Sequence, residues 1–388
     1  MGRAGSGIAA SPSLATAALD ASVAAMERSG VGHGHTALVF LSGDAPDAAH
    51  EVLHTVRRVT GARTVVGCSG AGVLSEEREI EGESAAAVLV IADDRLVARS
   101  ISIERLTADS DGLARRIADA TESTLAEGGS LVLLPDPRGL EPSELLAGLA
   151  KTLGPVPVLG AVAAAEREPI ELCDTQTLAG GLAGLALSGP VPLIGVAQGC
   201  TPIGEPYVIT RAERNVVHQI AGRPALEVLR EAVESVEDAE ERVPRAGIFA
   251  GLAMDPAKSP LERGDFLVRN LMGVDHTSGA VAVAEPVRAG QTIQFQLRDA
   301  QTSREDLELT LALLHERLNG RKPAFGCYFN CAGRGRGLYG APDHDVALIR
   351  ERLGEFPLAG FFGNGELAPV GRQNFFHNYT GALLLIPE

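Results

Sequence analysis

A strand, a helix and a second strand recur three times along the chain, and this recurrence restricts the possible folds more than any other feature. Residues 36–41 (TALVFL) form a short apolar run of strand length, and Pro46 to Val59 sets Ala49, Val52, Leu53, Val56 and Val59 at helical spacing. Residues 64–68 (TVVGC) are again strand-like. The order returns at 131–134 (LVLL), a helix from Pro142 to Leu153 and 156–159 (VPVL), then at 325–329 (FGCYF), a helix from Asp343 to Leu353 and 357–362 (PLAGFF). A strand–helix–strand segment of about 30 residues is a βαβ unit, which makes its two strands parallel neighbours.

Each second strand runs into small residues: Gly67 to Gly72, Gly160 to Ala163, and Gly360 to Glu366. These predict tight turns at comparable places. Further β-like sequence follows at 84–103, 183–198 and 374–386, and the first two segments read as hairpins broken at Asp93-Asp94 and Ser188-Gly189-Pro190. Parallel pairs followed by hairpins predict an α/β protein of layered α+β character, with mixed sheets flanked by helices.

Other segments stand outside the repeat. A leading helix is expected around Ala15 to Met26, and another from Pro224 to about Ala239, its acidic end 231–242 solvated. Strands are expected at 265–269, 280–284 and 292–297. Ser303 with Asp306 reads as a capping box for the helix carrying Leu307, Leu311, Leu314 and Leu318. The main boundary is placed near Gly222, giving domains 1–222 and 223–388.

A length of 388 residues exceeds one ordinary core and fits two domains. With 45% hydrophobic and 22% charged residues the chain has the balance of a globular protein. The formal net charge of -16 argues against nucleic acid and anionic membrane as partners, because both are bound through clustered Lys and Arg. The first 30 residues carry Asp20 and Glu27 without a continuous apolar stretch, and no transmembrane-length apolar run follows, so a cytoplasmic location is expected. Five cysteines, odd in number and set mostly in apolar runs, fit a reducing compartment better than a disulfide framework.

The densest concentration of chemistry is 327–339, where a strand ends in Cys331-Ala332-Gly333-Arg334-Gly335-Arg336-Gly337. Alternating glycines let backbone N–H groups approach an anion, and Arg334 or Arg336 can grip a carboxylate through paired hydrogen bonds, so a carboxylate or phosphate ligand is expected. The same loop also reads as a surface turn with solvated arginines. Cys331 is a nucleophile only if its neighbours lower its pKa; otherwise it is a small hydrophobe. Glu366, after Gly365, is a turn carboxylate suited to a ligand amine or to pairing with Arg334, and His377-Asn378-Tyr379-Thr380 places polar groups before the last strand. Ser69 beside Cys68 lacks the context of a nucleophile elbow, so no catalytic residue is assigned. No metal-ligand spacing and no cofactor motif is present, Cys327 and Cys331 having no second cysteine pair.

Taken in order, these segments resemble the FIST family, with its N- and C-terminal domains. The N-terminal likeness lies in the leading helix, TALVFLSGD at 36–44, TVVGCSGAGVL at 64–74, PVLGAVAA at 157–164 and Gly222 to Leu226. The C-terminal likeness lies in GDFLVRNLMGVD at 264–275, Gly290, Cys331 to Arg334, Pro357 to Phe362, Gly365-Glu366 and His377 to Thr380. The resemblance implies sensing of a small molecule such as an amino acid, to which the Arg334 loop adds a small carboxylate, usually beside a signalling output module, which is not recognisable here. The expected ligand-binding residues are Cys68, Ser69, Cys331, Arg334, Gly335, Gly365, Glu366 and Asn378. A signalling protein is a possible partner. A thiol-dependent enzyme using Cys331 or Cys68, and a protein adaptor, are the alternatives.

Overall fold

The computed structural model describes residues 3–44, 46–126, 128–237, 239, 246–255 and 257–388. It divides into two compact units, Met1–Val196 with Glu308–Glu388, and Ala197–Leu307. The boundary expected near Gly222 falls inside the unit Ala197–Leu307, which interrupts the other unit in sequence.

Three copies of one motif build the first unit. Copy one runs β1 (Arg3–Ala10), the helix Leu14–Ser29, β2 (Thr36–Ser42), the helix Ala49–Thr60, β3 (Thr64–Gly70), β4 (Gly72–Ser75), β5 (Glu79–Glu81) and β6 (Ala85–Ala92). Copy two repeats the order with β7 (Val97–Ile103), the helix Ser110–Leu125, β8 (Ser130–Pro135), the helix Pro142–Leu153, β9 (Val158–Ala161), β10 (Glu171–Cys173), β11 (Gln176–Leu178) and β12 (Leu182–Ser188). Copy three opens with β13 (Leu193–Ala197), after which the chain makes the second unit: β14 (Thr201–Pro202), β15 (Tyr207–Glu213), β16 (Val216–Ile220), β17 (Arg223–Pro224), the helix Ala225–Glu234, β18 (Gly247–Ala253), β19 (Phe266–Asp275), β20 (Ala280–Val283) and β21 (Thr292–Arg298). It then resumes with the helix Ala300–Leu318, β22 (Pro323–Cys331), the helix His344–Leu353, β23 (Leu358–Gly363), β24 (Glu366–Val370), β25 (Gln373–His377) and β26 (Gly381–Pro387).

No copy completes its own sheet. The three sheets run β1-β6-β2-β3-β10-β11, β7-β12-β8-β9-β24-β25 and β13-β26-β22-β23-β4-β5. Each copy passes its short hairpin to another: β4 and β5 to copy three, β10 and β11 to copy one, and β24 and β25 to copy two. The expected hairpins at 84–103 and 183–198 are therefore not hairpins. At Asp93-Asp94 the chain leaves one sheet for the next, so β6 pairs with β1 and β2 while β7 pairs with β12. The real hairpins are the shorter ones between βαβ unit and return strand.

Period-two alternation sorts the side chains of these strands between two layers. Leu38, Phe40, Val132, Leu134, Phe325, Cys327 and Phe329 turn into one shared core. Phe40 stacks on Phe361 at 5.0 Å between centroids, and Phe329 meets both rings edge-on. The alternate residues Ala37, Val39 and Leu41 face the helices Leu14–Ser29 and Ala49–Thr60, as Leu131 and Leu133 face Ser110–Leu125 and Pro142–Leu153.

Gly67, Gly160 and Gly360, which open the stretches expected to turn, lie inside β3, β9 and β23. A Cβ at any of the three would collide with the carbonyl oxygen of the neighbouring parallel strand, at Val39, Leu133 and Tyr328 respectively. Glycine is required there by close backbone approach rather than by a turn. Gly360→Ala is expected to lower stability by about 1–3 kcal/mol, the usual cost of overpacking a filled core. A melting temperature unchanged from wild type would show that the strands can separate to admit the methyl group.

In the second unit, β21 pairs with both β15 and β18, so the ring β21-β15-β16-β20-β19-β18 closes on itself. Closure leaves those strands without a free edge. Ile293, Phe295 and Leu297 of β21 point into its core, which the helix residues Ala225, Val228, Leu229 and Ala232 also fill. The helix Ala300–Leu318 starts before the expected capping box, at Asp299 and Thr302, which exchange side chain-to-backbone hydrogen bonds of 2.7 and 3.1 Å. Ser303 and Asp306 instead hold Gly199, by bonds of 3.0 Å to its carbonyl and 2.8 Å from its N–H.

Candidate functional site

The third copy carries a buried network centred on Asp345. In β22 the core-facing residues are Phe325, Cys327 and Phe329, so Tyr328 and Asn330 point to the other side, toward the helix His344–Leu353. Asp345, in the first turn of that helix, is fully buried. Its Oδ2 accepts from Tyr328 Oη at 3.0 Å and Asn330 Nδ2 at 3.1 Å. Arg334 closes a fork on it, Nε to Oδ2 at 2.9 Å and Nη2 to Oδ1 at 3.2 Å, and Nη2 also donates to Tyr339 Oη at 2.7 Å. His344 Nδ1 lies 3.1 Å from Oδ1, its ring stacked on Tyr339 at 3.5 Å.

Burial opposes ionisation of Asp345, but the Arg334 charge and the hydrogen bonds from His344 and Arg334 outweigh it and hold the carboxyl well below the usual carboxylate range. Burial likewise works against the guanidinium charge, which Asp345 more than restores. Arg334 Nη1 remains buried without a hydrogen-bond partner among the described residues.

The exchanged hairpin of copy one closes this network from the other side. Glu79 accepts from Val346 N–H at 3.1 Å through Oε1, its own N–H donates to Asp343 Oδ1 at 2.6 Å, and its Oε2 is buried without a partner among the described residues. Burial, and then Asp345, push the Glu79 carboxyl up. Glu81 accepts from the N–H of Arg336 at 2.9 Å, and Gly335 has a positive φ of 68° with Glu81 where a side chain would extend. Gly335 is thus fixed by packing.

Of the residues expected to bind a ligand, Cys331, Arg334 and Gly335 belong to this loop, and Asn378 precedes Tyr379, which lies against Gly333. Cys331 is buried, and a Cβ on Gly333 would lie 3.8 Å from its Sγ and 3.2 Å from the ring of Tyr379, next to the half-buried Asn378. Glu366 is buried and accepts from Thr380 N–H at 3.1 Å. Gly365 has a φ of 96° and packs against Phe376. Arg334 is only 1% exposed, so it is an internal ion-pair member with one spare donor group rather than a solvated grip.

Cys68 and Ser69 lie on β3 and pair instead with the exchanged strand of copy two. Ser69 Oγ accepts from Ile170 N–H at 3.0 Å, and Cys68 stands opposite Glu171. Burial, then Glu171, raise the Cys68 thiol well above its ordinary value, the reverse of what a nucleophile needs. Glu171 accepts from Gly181 N–H at 3.3 Å, keeps Oε1 buried without a partner among the described residues, and is pushed up to about 9 by burial and by Asp136. Asp136 is itself forked by Arg138 at 2.9 and 2.7 Å.

The repeat relates these places. Cys68, Ala161 and Phe361 each follow a crowded glycine, and their partners on the exchanged strands are Glu171, Glu366 and Val73. Two junctions thus carry a buried carboxyl group and the third is sealed by the phenyl cluster. Sequence reasoning passed over Asp345, Glu79, Asp136 and Glu171; aligning the three copies on their glycines does not find Glu171 either, because the loop between Gly160 and Glu171 is longer than the one between Gly360 and Glu366.

A strand-exchanged threefold α/β body, with an antiparallel β-ring inserted in its third copy and buried polar networks at its strand ends, is the class of protein that fold and site define. The FIST N domain matches residues 35–223 and the FIST C domain residues 225–369. The chain belongs to the FIST family. FIST domains are in general sensory domains that bind small ligands. The uncharacterized protein Rv0628c of Mycobacterium tuberculosis (strain ATCC 25618 / H37Rv) is 34% identical over 390 residues, covering 100% of both chains. The uncharacterized protein Mb0898c of Mycobacterium bovis is 34% identical over 392 residues, covering 100% of this chain and 99% of its own. Among solved structures, a cyanuric acid hydrolase from A. caulinodans aligns with a TM-score of 0.35 and 9% identity over 99% of each chain. A chorismatase aligns with a TM-score of 0.34 and 11% identity, over 100% of this chain and 98% of the other. At those scores neither likeness bears on this protein's chemistry. Among the described residues, no helix is long and apolar enough to cross a membrane.

Proposed function

We propose that this protein is a cytoplasmic ligand sensor whose third-copy loop binds a small carboxylate, an amino acid being the best fit, and passes its state to a signalling partner. The observation that carries the reading is Arg334 Nη1, a buried donor group with no partner inside a network whose other donors are engaged. An unsatisfied buried donor costs about 1–3 kcal/mol, which a ligand oxygen would recover. Asp345 already balances the Arg334 charge, so the ligand gains one charge-assisted bond rather than a full ion pair. On this reading Glu366 and Asn378 are the acceptors for the ligand's amino group. Five buried cysteines fit a reducing compartment.

Thermal shift against amino acids and small carboxylates tests this directly, because a ligand stabilises by RT ln(1 + [L]/Kd). One chemical class is expected to raise the melting temperature of the wild type in a dose-dependent way. Asn378→Ala should weaken that ligand about tenfold and Arg334→Lys at least as much, the loss of one hydrogen bond to a charged group. Ligand-induced shifts equal to wild type in both variants would remove the ligand from this loop.

A further inference from the structure

A second polar feature of the first unit lies outside the Asp345 network. The helix Ala49–Thr60 buries Val52, Leu53 and Val56 and leaves His50, His54 and Arg58 exposed one turn apart. Together with Leu53, Arg57 and Thr175, from the turn between β10 and β11, they line a cleft of about 330 Å³.

The charge of this cleft is not balanced internally. Arg57 Nη1 is held by two backbone carbonyls, Arg63 at 2.8 Å and Asp174 at 3.3 Å, which fix the guanidinium without neutralising it. Among the described residues neither Arg57 nor Arg58 pairs with a carboxylate. The carboxylate of Asp174 is turned away, accepting from Val65 N–H at 3.0 Å and Ser100 Oγ at 2.6 Å. A chain with a formal net charge of -16 thus keeps two unpaired guanidiniums and two imidazoles in one concavity.

Three occupants can be weighed. Arginines in a last helical turn complement the helix dipole, but that effect is worth about 0.3–1 kcal/mol and does not call for the facing wall supplied by Thr175. Two histidines four residues apart can hold a metal, yet the two adjacent guanidiniums repel a cation. An anion is attracted by all four side chains, and the planar fork of arginine matches phosphate oxygens. Long polyanions are disfavoured by the overall negative charge.

The geometry points to this cleft as a binding site for a small phosphate-bearing molecule, its phosphoryl group held by Arg57, Arg58, His50 and His54 and its remainder lying toward Leu53. The site is separate from the Arg334 loop and does not depend on the reading of that loop.

The test is a ³¹P NMR titration of the full chain with inorganic phosphate and with glycerol phosphate, repeated on Arg58→Ser and His54→Ser. Both positions are exposed, and circular dichroism melts verify that the variants stay folded. Saturable line broadening is expected for the wild type, with affinity about tenfold weaker in Arg58→Ser, the loss of one charge-assisted hydrogen bond. Tighter binding of glycerol phosphate would identify a phosphorylated metabolite as the ligand, and equal binding would identify free phosphate. Broadening that does not saturate, or that is the same in the folded variants as in the wild type, overturns the proposal.

Discussion

Asp345→Ala is expected to destabilise the protein by about 3–5 kcal/mol, the cost of stranding a buried charge by removing its partner. The substitution leaves Arg334 without a counter-charge in a fully buried place, and removes the acceptor used by Tyr328 and Asn330. Chemical denaturation measures it through the transition midpoint. The double variant Arg334→Met with Asp345→Leu should regain only part of the loss, since it removes the stranded charge but still leaves Tyr328 and Asn330 without their buried acceptor. A single substitution costing below about 1 kcal/mol would mean that the pair behaves like an exposed one. The pH dependence has a definite sign. The folded carboxyl lies below its unfolded value, so the pair's contribution is complete above the ordinary carboxylate range and is lost as pH falls through the depressed value.

Glu171 should behave in the opposite sense. Its folded carboxyl is raised from 4.5 to about 9, so between those values the folded chain retains a proton that the unfolded chain has released. Stability must then fall as pH rises through that window, by up to about 1.4 kcal/mol per pH unit. Glu171→Gln keeps an acceptor for Gly181 N–H and has no proton to lose, so it should flatten the slope and be the more stable protein by about 1–3 kcal/mol under mildly alkaline conditions. Melting curves of both proteins across the window decide it. Parallel profiles would show that Glu171 is solvated or paired well enough to ionise normally.

The parts of the fold legible in the sequence were those made by local apolar runs. Strands β2, β8 and β22 and the helices that follow them have enough buried residues in a short window to declare their period. The exchanged hairpins do not: β5, β10 and β11 are three residues long, contain Glu79, Glu81, Glu171 and Gln176, and find their partners in another copy. Strand pairing over that separation leaves no local periodicity to read. The loop at Arg334 was visible through its glycines and arginines, but Asp345 was not, because an acidic residue in a first helical turn already has an ordinary explanation in the helix dipole. His50, His54 and Arg58 were hidden in the same way, as the polar side of an amphipathic helix.

The cyclic passing of hairpins also sets a timetable for synthesis. Leu74 and Val73 pair with Gly360 and Phe361, which are made two repeat copies later. Until then β4 and β5 have no sheet to join, and the phenyl cluster lacks Phe361. Pairings of such long sequence separation fold slowly and leave apolar surface open to wrong partners. The first unit should therefore reach its native state only once β23 has been made, rather than copy by copy, and a chain truncated before β23 should be a client of chaperones rather than a smaller working protein.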